Sequence, residues 1–255
     1  MLFNKTIYRT AILCFLLSFA GNSTLIAMEK STAVTSKIND TTKECIILLH
    51  GLARTKKAMS KMASVLNDNG YHVVNVDYPS RSYKISYLSQ TYLPPAIFEC
   101  QENSVSKIHF VSHSMGGILI RHYLSANSLS ELGRVVMLSP PNRGSEVVDK
   151  LKNVPGFYAL NGPAGQELGT DESSMPNKLG VANFDLGIIT GNKSINLILS
   201  MLIPGDDDGK VSIKRAKLEG MKDFLVMPHS HPFIMQQDEV IKQTMHYLHN
   251  GHFDH

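Results

Sequence analysis

The sequence has little net charge: 25 Lys and Arg against 22 Asp and Glu leave a formal +3 at pH 7 over 255 residues. Its cations form no run longer than Lys56-Lys57, no aromatic residues interleave with a basic stripe, and no segment repeats. A nucleic-acid partner and a repeat architecture are therefore not expected. Long apolar runs are also missing. The stretch Ala11 to Ala20 is about half of the ~20 residues that a membrane span needs, and polar Gly21-Asn22-Ser23-Thr24 blocks its extension. Cysteine is scarce, with three residues at 14, 45 and 100. Cys14 has no small residue immediately before it, which argues against a lipoprotein cleavage box.

What is present suits a packed globule. Apolar residues make up 43% and charged residues 18%, outside the range of disordered chains. Lys5 and Arg9, the short apolar core and the small residues at Ala20 and Ala27 read as an export signal over residues 1–27, with an uncleaved anchor as the alternative. Residues 28–44 form a polar, Thr/Ser/Lys-rich lead-in, and 45–255 form one domain. The expected location is periplasmic or secreted.

From Cys45 onward, strands and helices alternate. Strands are expected at Cys45–His50, His72–Asp77, Lys107–Ser112, Arg134–Leu138, Phe184–Thr190 and Phe224–Met227. Helices are expected at about Lys57–Asn69, Ile85–Gln101 (bent or restarted at Pro94-Pro95), Met115–Ala126 and Asp238–Tyr247. This order predicts an α/β fold with a mostly parallel central sheet and helices on both faces. Residues 140–182 break the alternation, rich in Pro, Gly and Asn. An irregular segment of that length inside a domain is expected to be a lid-like insertion. The apolar run Ile195–Ile203 fits an acyl pocket or, more ordinarily, the core.

Ligands in such sheets sit at the carboxyl ends of the strands, where His50, Ser114, Asp208 and His231 all fall. The run Ile108-His-Phe-Val-Ser-His-Ser-Met-Gly-Gly117 carries the chemistry. A strand ends at small-x-Ser-x-Gly and a helix starts at once, so the serine sits on a tight turn beside a helix N-terminus, as in a nucleophile elbow. A serine hydroxyl needs an adjacent base, usually an imidazole held by a carboxylate, and in this architecture the chain order is Ser, acid, His. Gly205-Asp-Asp-Asp-Gly209 offers three carboxylates. The Asp-Gly-x-Val pattern favours Asp208, leaving Asp206 and Asp207 as solvated charges. Pro228-His-Ser-His-Pro232 offers His229 and His231, and reach beyond the last strand favours His231. The acidic run lacks the alternate acids and distal Glu of a calcium loop. Gly209-Lys210 lacks phosphate-loop spacing. His229-x-His231 lacks a third ligand, and the histidines from His246 to His255 read as a solvated tail. No metal and no cofactor are expected.

Six pieces carry a resemblance: Leu49-His-Gly-Leu52, Ser112-His-Ser-Met-Gly-Gly117, Pro140-Pro-Asn-Arg-Gly-Ser145, Gly162-Pro-Ala-Gly165, Asp208-Gly-Lys-Val211 and Ser230-His-Pro-Phe233. Together they resemble the α/β-hydrolase superfamily, bacterial lipases and esterases in particular, over about residues 45–252. Ser112 departs from the usual glycine and Pro232 from the usual threonine. The resemblance implies a catalytic triad of Ser114, Asp208 and His231, and an oxyanion hole from the backbone N–H groups of Leu52 and Met115. His50 is expected to order its loop. The resemblance also implies that Cys45 and Cys100 lie together at the sheet end opposite the site. A disulfide and two buried thiols are equally compatible with that. The expected function is serine hydrolysis of carboxylic esters, lipid or acyl esters by preference, with transient contact with a membrane or lipid surface. Acyl transfer by the same triad and a silent hydrolase-fold binding protein are the alternatives.

Overall fold

The computed structural model describes residues 43–255; the expected export signal and residues 28–42 of the lead-in lie outside the described residues. From Glu44 strands and helices alternate: β1 (Glu44–Leu49), α1 (Ser60–Asp68), β2 (His72–Val76), α2 (Ile85–Glu102), β3 (Lys107–His113), α3 (Met115–Ala126) and β4 (Leu132–Leu138). Three short helices follow, α4 (Glu146–Leu151), α5 (Phe157–Gln166) and α6 (Met175–Lys178), then β5 (Leu186–Gly191). The chain closes with short α7 (Leu197–Ser200) and α8 (Ile213–Ala216), β6 (Asp223–Met227) and α9 (Asp238–Asn250). Six strands form one sheet in the order β2-β1-β3-β4-β5-β6, and every pairing is parallel.

Strand periodicity divides the core between the two faces. In β1, Cys45, Ile47 and Leu49 pack with Ile85, Leu88 and Ile97 of α2 and Ile118 of α3. Ile46 and Leu48 point the other way, against Met62 and Leu66 of α1 and Ile241 and Leu248 of α9. A parallel sheet covered on both faces needs such continuous apolar strands. Each fully buried aliphatic side chain contributes about 1.5–3 kcal/mol.

The structure differs from the sequence reading in several places. Helix α2 runs unbroken through Pro94 and Pro95. Both prolines, and Gln90 and Thr91 whose carbonyls lose their partners, lie on the exposed side, where water can satisfy them, while Leu93, Ala96 and Ile97 are buried on the other. Residues 140–182 are not structureless but hold α4, α5 and α6. α5 kinks at Gly162 (φ 64°), where a Cβ would fall 1.7 Å from the Arg81 carbonyl oxygen. The Arg121 guanidinium ties this segment down, donating to the carbonyls of Asn142, Pro176 and Gly180 at 2.7–2.9 Å. The run Ile195–Ile203 is neither core nor mainly pocket: Ile195, Leu197, Ile198 and Met201 are 65–85% exposed, Ile203 is buried, and Leu199 alone lines the cleft described below. Finally, β5 starts two residues later than expected, at Leu186, and β4 two earlier, at Leu132.

Cys45 of β1 and Cys100 of α2 form a disulfide. It joins the start of β1 to the end of α2, away from the carboxyl ends of the strands.

Candidate active site

Ser114 joins β3 to α3 with φ 53° and ψ −124°. A side chain in this region costs of order 1–3 kcal/mol, and the surroundings must hold it there. Its N–H donates to the Leu138 carbonyl at 2.8 Å, and its own carbonyl accepts from Gly117 N–H at 3.0 Å. Glycine is required nearby for close approach: a Cβ on Gly116 would lie 2.7 Å from the Leu49 oxygen and 2.9 Å from the His50 oxygen. Ser112, the serine in place of the usual glycine, fits because Gly117 opposite has no Cβ; one there would sit 3.3 Å from Ser112 Oγ.

His231 lies on the loop after β6. Its Nδ1 is 2.8 Å from Asp208 Oδ2 and its Nε2 is 3.0 Å from Ser114 Oγ. With the carboxylate as acceptor, Nδ1 carries the proton and Nε2 is left to accept from the serine hydroxyl. The loops carrying Asp208 and His231 are tied by the His231 N–H, which donates to the Asp208 carbonyl at 2.9 Å. On the other side, His113 Nε2–H donates to the His231 carbonyl at 2.9 Å.

Asp208 is fully buried. Its second oxygen, Oδ1, accepts from the N–H groups of Lys210 (3.0 Å) and Val211 (2.9 Å). Burial by itself would raise this carboxyl, but the His231 charge and the hydrogen bonds from His231 and Val211 outweigh it and hold the pKa below the usual value. His113 is held well below the ordinary imidazole value, first by burial and then by the neighbouring His231, so it stays a neutral donor.

Ser114, Asp208 and His231 thus stand together, and the competing residues stand elsewhere. Asp206 is exposed. Asp207 is not the solvated charge expected from sequence: it is buried and accepts from Ser200 Oγ and Gly209 N–H, pinning α7 to the acid loop. His229 turns toward Glu239 of α9, at 3.9 Å. His50 stacks on Tyr78 with ring centroids 3.9 Å apart. Its Nδ1–H donates to the Gly51 carbonyl, and the Tyr78 hydroxyl donates to the His50 carbonyl. It therefore orders the turn that carries Leu52. Among the described residues, the N–H groups of Leu52 and Met115 take no backbone partner. Gly51 brings that turn against Ser114: a Cβ there would lie 3.1 Å from Ser114 Cβ.

A cleft of about 330 Å³ opens over Ser114 and His231. Val147, Val148, Leu151, Phe157, Leu168 and Val211 give it apolar walls, four of them from α4 and α5. Arg54 and Lys210 line it as well, and the sequence reading missed both, although each sits within two residues of a named site residue. Among the described residues no group of three His, Cys, Asp or Glu is placed to hold a metal. No helix there is long and apolar enough to cross a membrane.

No protein-family model matches this chain, and no curated protein matches it. Solved structures do. The mature lipase BlEst2 of Bacillus licheniformis superposes with TM-score 0.64 at 22% identity, over 82% of this chain and 93% of that one. Phospholipase PlaB of Legionella pneumophila gives 0.63 at 15% identity, over 80% of this chain and 57% of that one. A thermophilic esterase from Thermogutta terrifontis gives 0.51 at 13% identity, over 83% of this chain and 91% of that one. The all-parallel sheet, the strand–serine–helix turn and these superpositions together identify the fold of the chain as the α/β-hydrolase fold.

Proposed function

We propose that this protein is a serine hydrolase of carboxylic esters, with lipid or acyl esters as substrates. The observation that carries the reading is the continuous line Ser114 Oγ–His231–Asp208, at 3.0 and 2.8 Å, at the floor of an apolar cleft. In this mechanism His231 Nε2 takes the Ser114 proton as Oγ attacks the ester carbonyl carbon. The tetrahedral oxyanion is met by the N–H groups of Leu52 and Met115, each such donor contributing about 3 kcal/mol. His231 then returns the proton to the leaving alcohol as the C–O bond breaks, leaving an acyl group on Ser114. Water, deprotonated by the same imidazole, releases the acid. Asp208 keeps the ring in its tautomer and stabilises the transient imidazolium. The fold of the lipases and esterases it superposes on supports the same reaction class.

Two further parts of the reading concern location. Exposed apolar side chains on α7 and just after it (Leu197, Ile198, Met201) and on α5 (Tyr158, Leu160) flank a cleft that Leu199 and Leu160 also line. They support transient contact with a lipid surface. The charged, then apolar, N-terminal stretch and the Cys45–Cys100 disulfide support export, because such bonds persist in oxidising compartments. Intact mass of protein from its native host tests export: loss of the first ~20–27 residues is expected, and a soluble cytoplasmic species starting at Met1 contradicts it. Turnover of short- and long-chain acyl esters by the purified protein tests the reaction. Hydrolysis supports the reading, transfer of the acyl group to an added alcohol in preference to water redirects it, and no turnover of either kind overturns it.

A further inference from the structure

Among the described residues the cleft is lined by two cations and no carboxylate. Its lining includes Arg54 and Lys210 but no Asp or Glu, and neither cation has an ion-pair partner among the described residues. Two of the carboxylates near the cleft are already engaged. Asp208 is taken up by His231 and the Lys210 and Val211 N–H groups. Asp77, across a neighbouring cavity from Arg54, accepts the Lys56 N–H and faces His50.

Arg54 is anchored through a main-chain carbonyl and Lys210 through its own main chain. Arg54 Nη2 reaches the Pro232 carbonyl at 3.4 Å, one residue beyond the base. The Lys210 main chain is fixed through its N–H on Asp208 Oδ1 and its carbonyl, which accepts from Ser145 Oγ at 2.7 Å. Both side chains are exposed to solvent; the Lys210 ammonium is lowered by partial desolvation and then by the charge of Arg54, with Asp208 opposing. Two like charges lining one cleft without an acidic partner make it favourable to an anion.

Chemistry decides which part of the substrate carries that anion. His231 Nε2 must deliver its proton to the departing alkoxide, so the leaving alcohol lies on the His231–Pro232 side, beside Arg54. The apolar walls from α4 and α5 take the acyl chain. A guanidinium and an ammonium together match a group with several oxygens and up to two negative charges. We propose that Arg54 and Lys210 form an anion subsite on the leaving-alcohol side of the cleft, and that the ester hydrolysed carries a phosphate on its alcohol. The inference rests on the serine-hydrolase reading above. In that case an acyl ester of a phosphate-bearing alcohol and water give a carboxylic acid and the free phosphate-bearing alcohol.

The test compares monomeric octanoylglycerol with octanoylglycerol phosphate, both below their micellar concentrations so that no lipid surface contributes. The wild-type protein should favour the phosphate-bearing ester by about tenfold or more in kcat/KM. Arg54→Gln and Lys210→Gln should each bring that ratio toward one, and raising the salt concentration should shrink it. A wild-type ratio at or below one, or a ratio that neither substitution moves, overturns the anion subsite while the hydrolase reading stands. Equal or greater preference for monomethyl suberate, whose carboxylate is on the acyl side, overturns the placement. Competitive inhibition by inorganic phosphate without any preference for octanoylglycerol phosphate assigns the cations to a free anion and overturns the proposal too. Hydrolysis of none of these esters removes the serine-hydrolase reading itself.

Discussion

Three aspartates in a row and two histidines one residue apart left the acid and the base ambiguous by composition alone. Side-chain geometry sets one aspartate and one histidine apart as the candidates. Asp208 and His231 face each other and Ser114, whereas Asp207 holds Ser200 and the Gly209 N–H, and His229 faces Glu239. The separation predicts a kinetic pattern. Asp208→Asn keeps the size but removes the charge and permits the wrong tautomer, so kcat for ester hydrolysis should fall roughly ten-thousand-fold. His231→Ala should cost at least as much. His229→Ala should stay within about tenfold, since it shares neither the proton path nor a loop hydrogen bond to the triad. Steady-state kinetics on the three variants read this directly, and an inactive His229→Ala beside an active His231→Ala would reverse the assignment. The Asp-Gly-x-Val pattern already pointed to Asp208 from the sequence. The shared position of Arg54 and Lys210 did not appear there, because residues 156 positions apart (210 − 54) meet only when the fold brings two loops to one cleft.

At the scale of elements, the long periodic segments were readable and the short ones were not. The buried strands and the amphipathic α1 and α9 have patterns that local sequence expresses. α4, α6, α7 and α8 are four to six residues long, too short to be stable on their own. They exist because of contacts made elsewhere: Asn196 caps α7 by accepting from Leu199 N–H at 3.1 Å, and Arg121 clamps the ends of the α4–α6 segment. Helix α2 shows the reverse case, where a strong local signal, Pro94-Pro95, is overridden by its buried face. The exposure of α7 leads to a prediction. Ile198→Ser and Met201→Ser should leave turnover of a monomeric short-chain ester near the wild-type level and reduce turnover of the same ester class in micelles or vesicles several-fold, as expected when apolar area that enters a lipid surface is lost. Equal rates on aggregated substrate for wild type and variants would remove the lipid-surface part of the reading.

Across the whole molecule, the two core clusters meet at a sheet whose carboxyl edge carries every residue of the candidate site, and the disulfide sits near its opposite edge. The site places several imidazoles in the interior, which couples stability to pH. His50 and His113 are lowered from the ordinary 6.5, chiefly by burial. Between their depressed values and 6.5 the unfolded chain binds more protons than the folded one, so stability falls as pH drops through that interval and is fully present above it. Asp208, depressed as well, acts with the same sign at lower pH. The midpoint of thermal unfolding should therefore fall between about pH 7 and pH 5. His113→Gln, which keeps a donor for the His231 carbonyl without a titrating ring, should flatten the slope. A midpoint that rises over this range would contradict the buried-neutral assignment. Whether Ser114 is an activated nucleophile is tested most directly by mapping the adduct of a fluorophosphonate probe on the native protein by peptide mass spectrometry. The account predicts a single phosphonylated residue, Ser114, with no adduct on acid-denatured protein or on His231→Ala within the labelling time. An adduct on another serine, or none on the native protein, would contradict it.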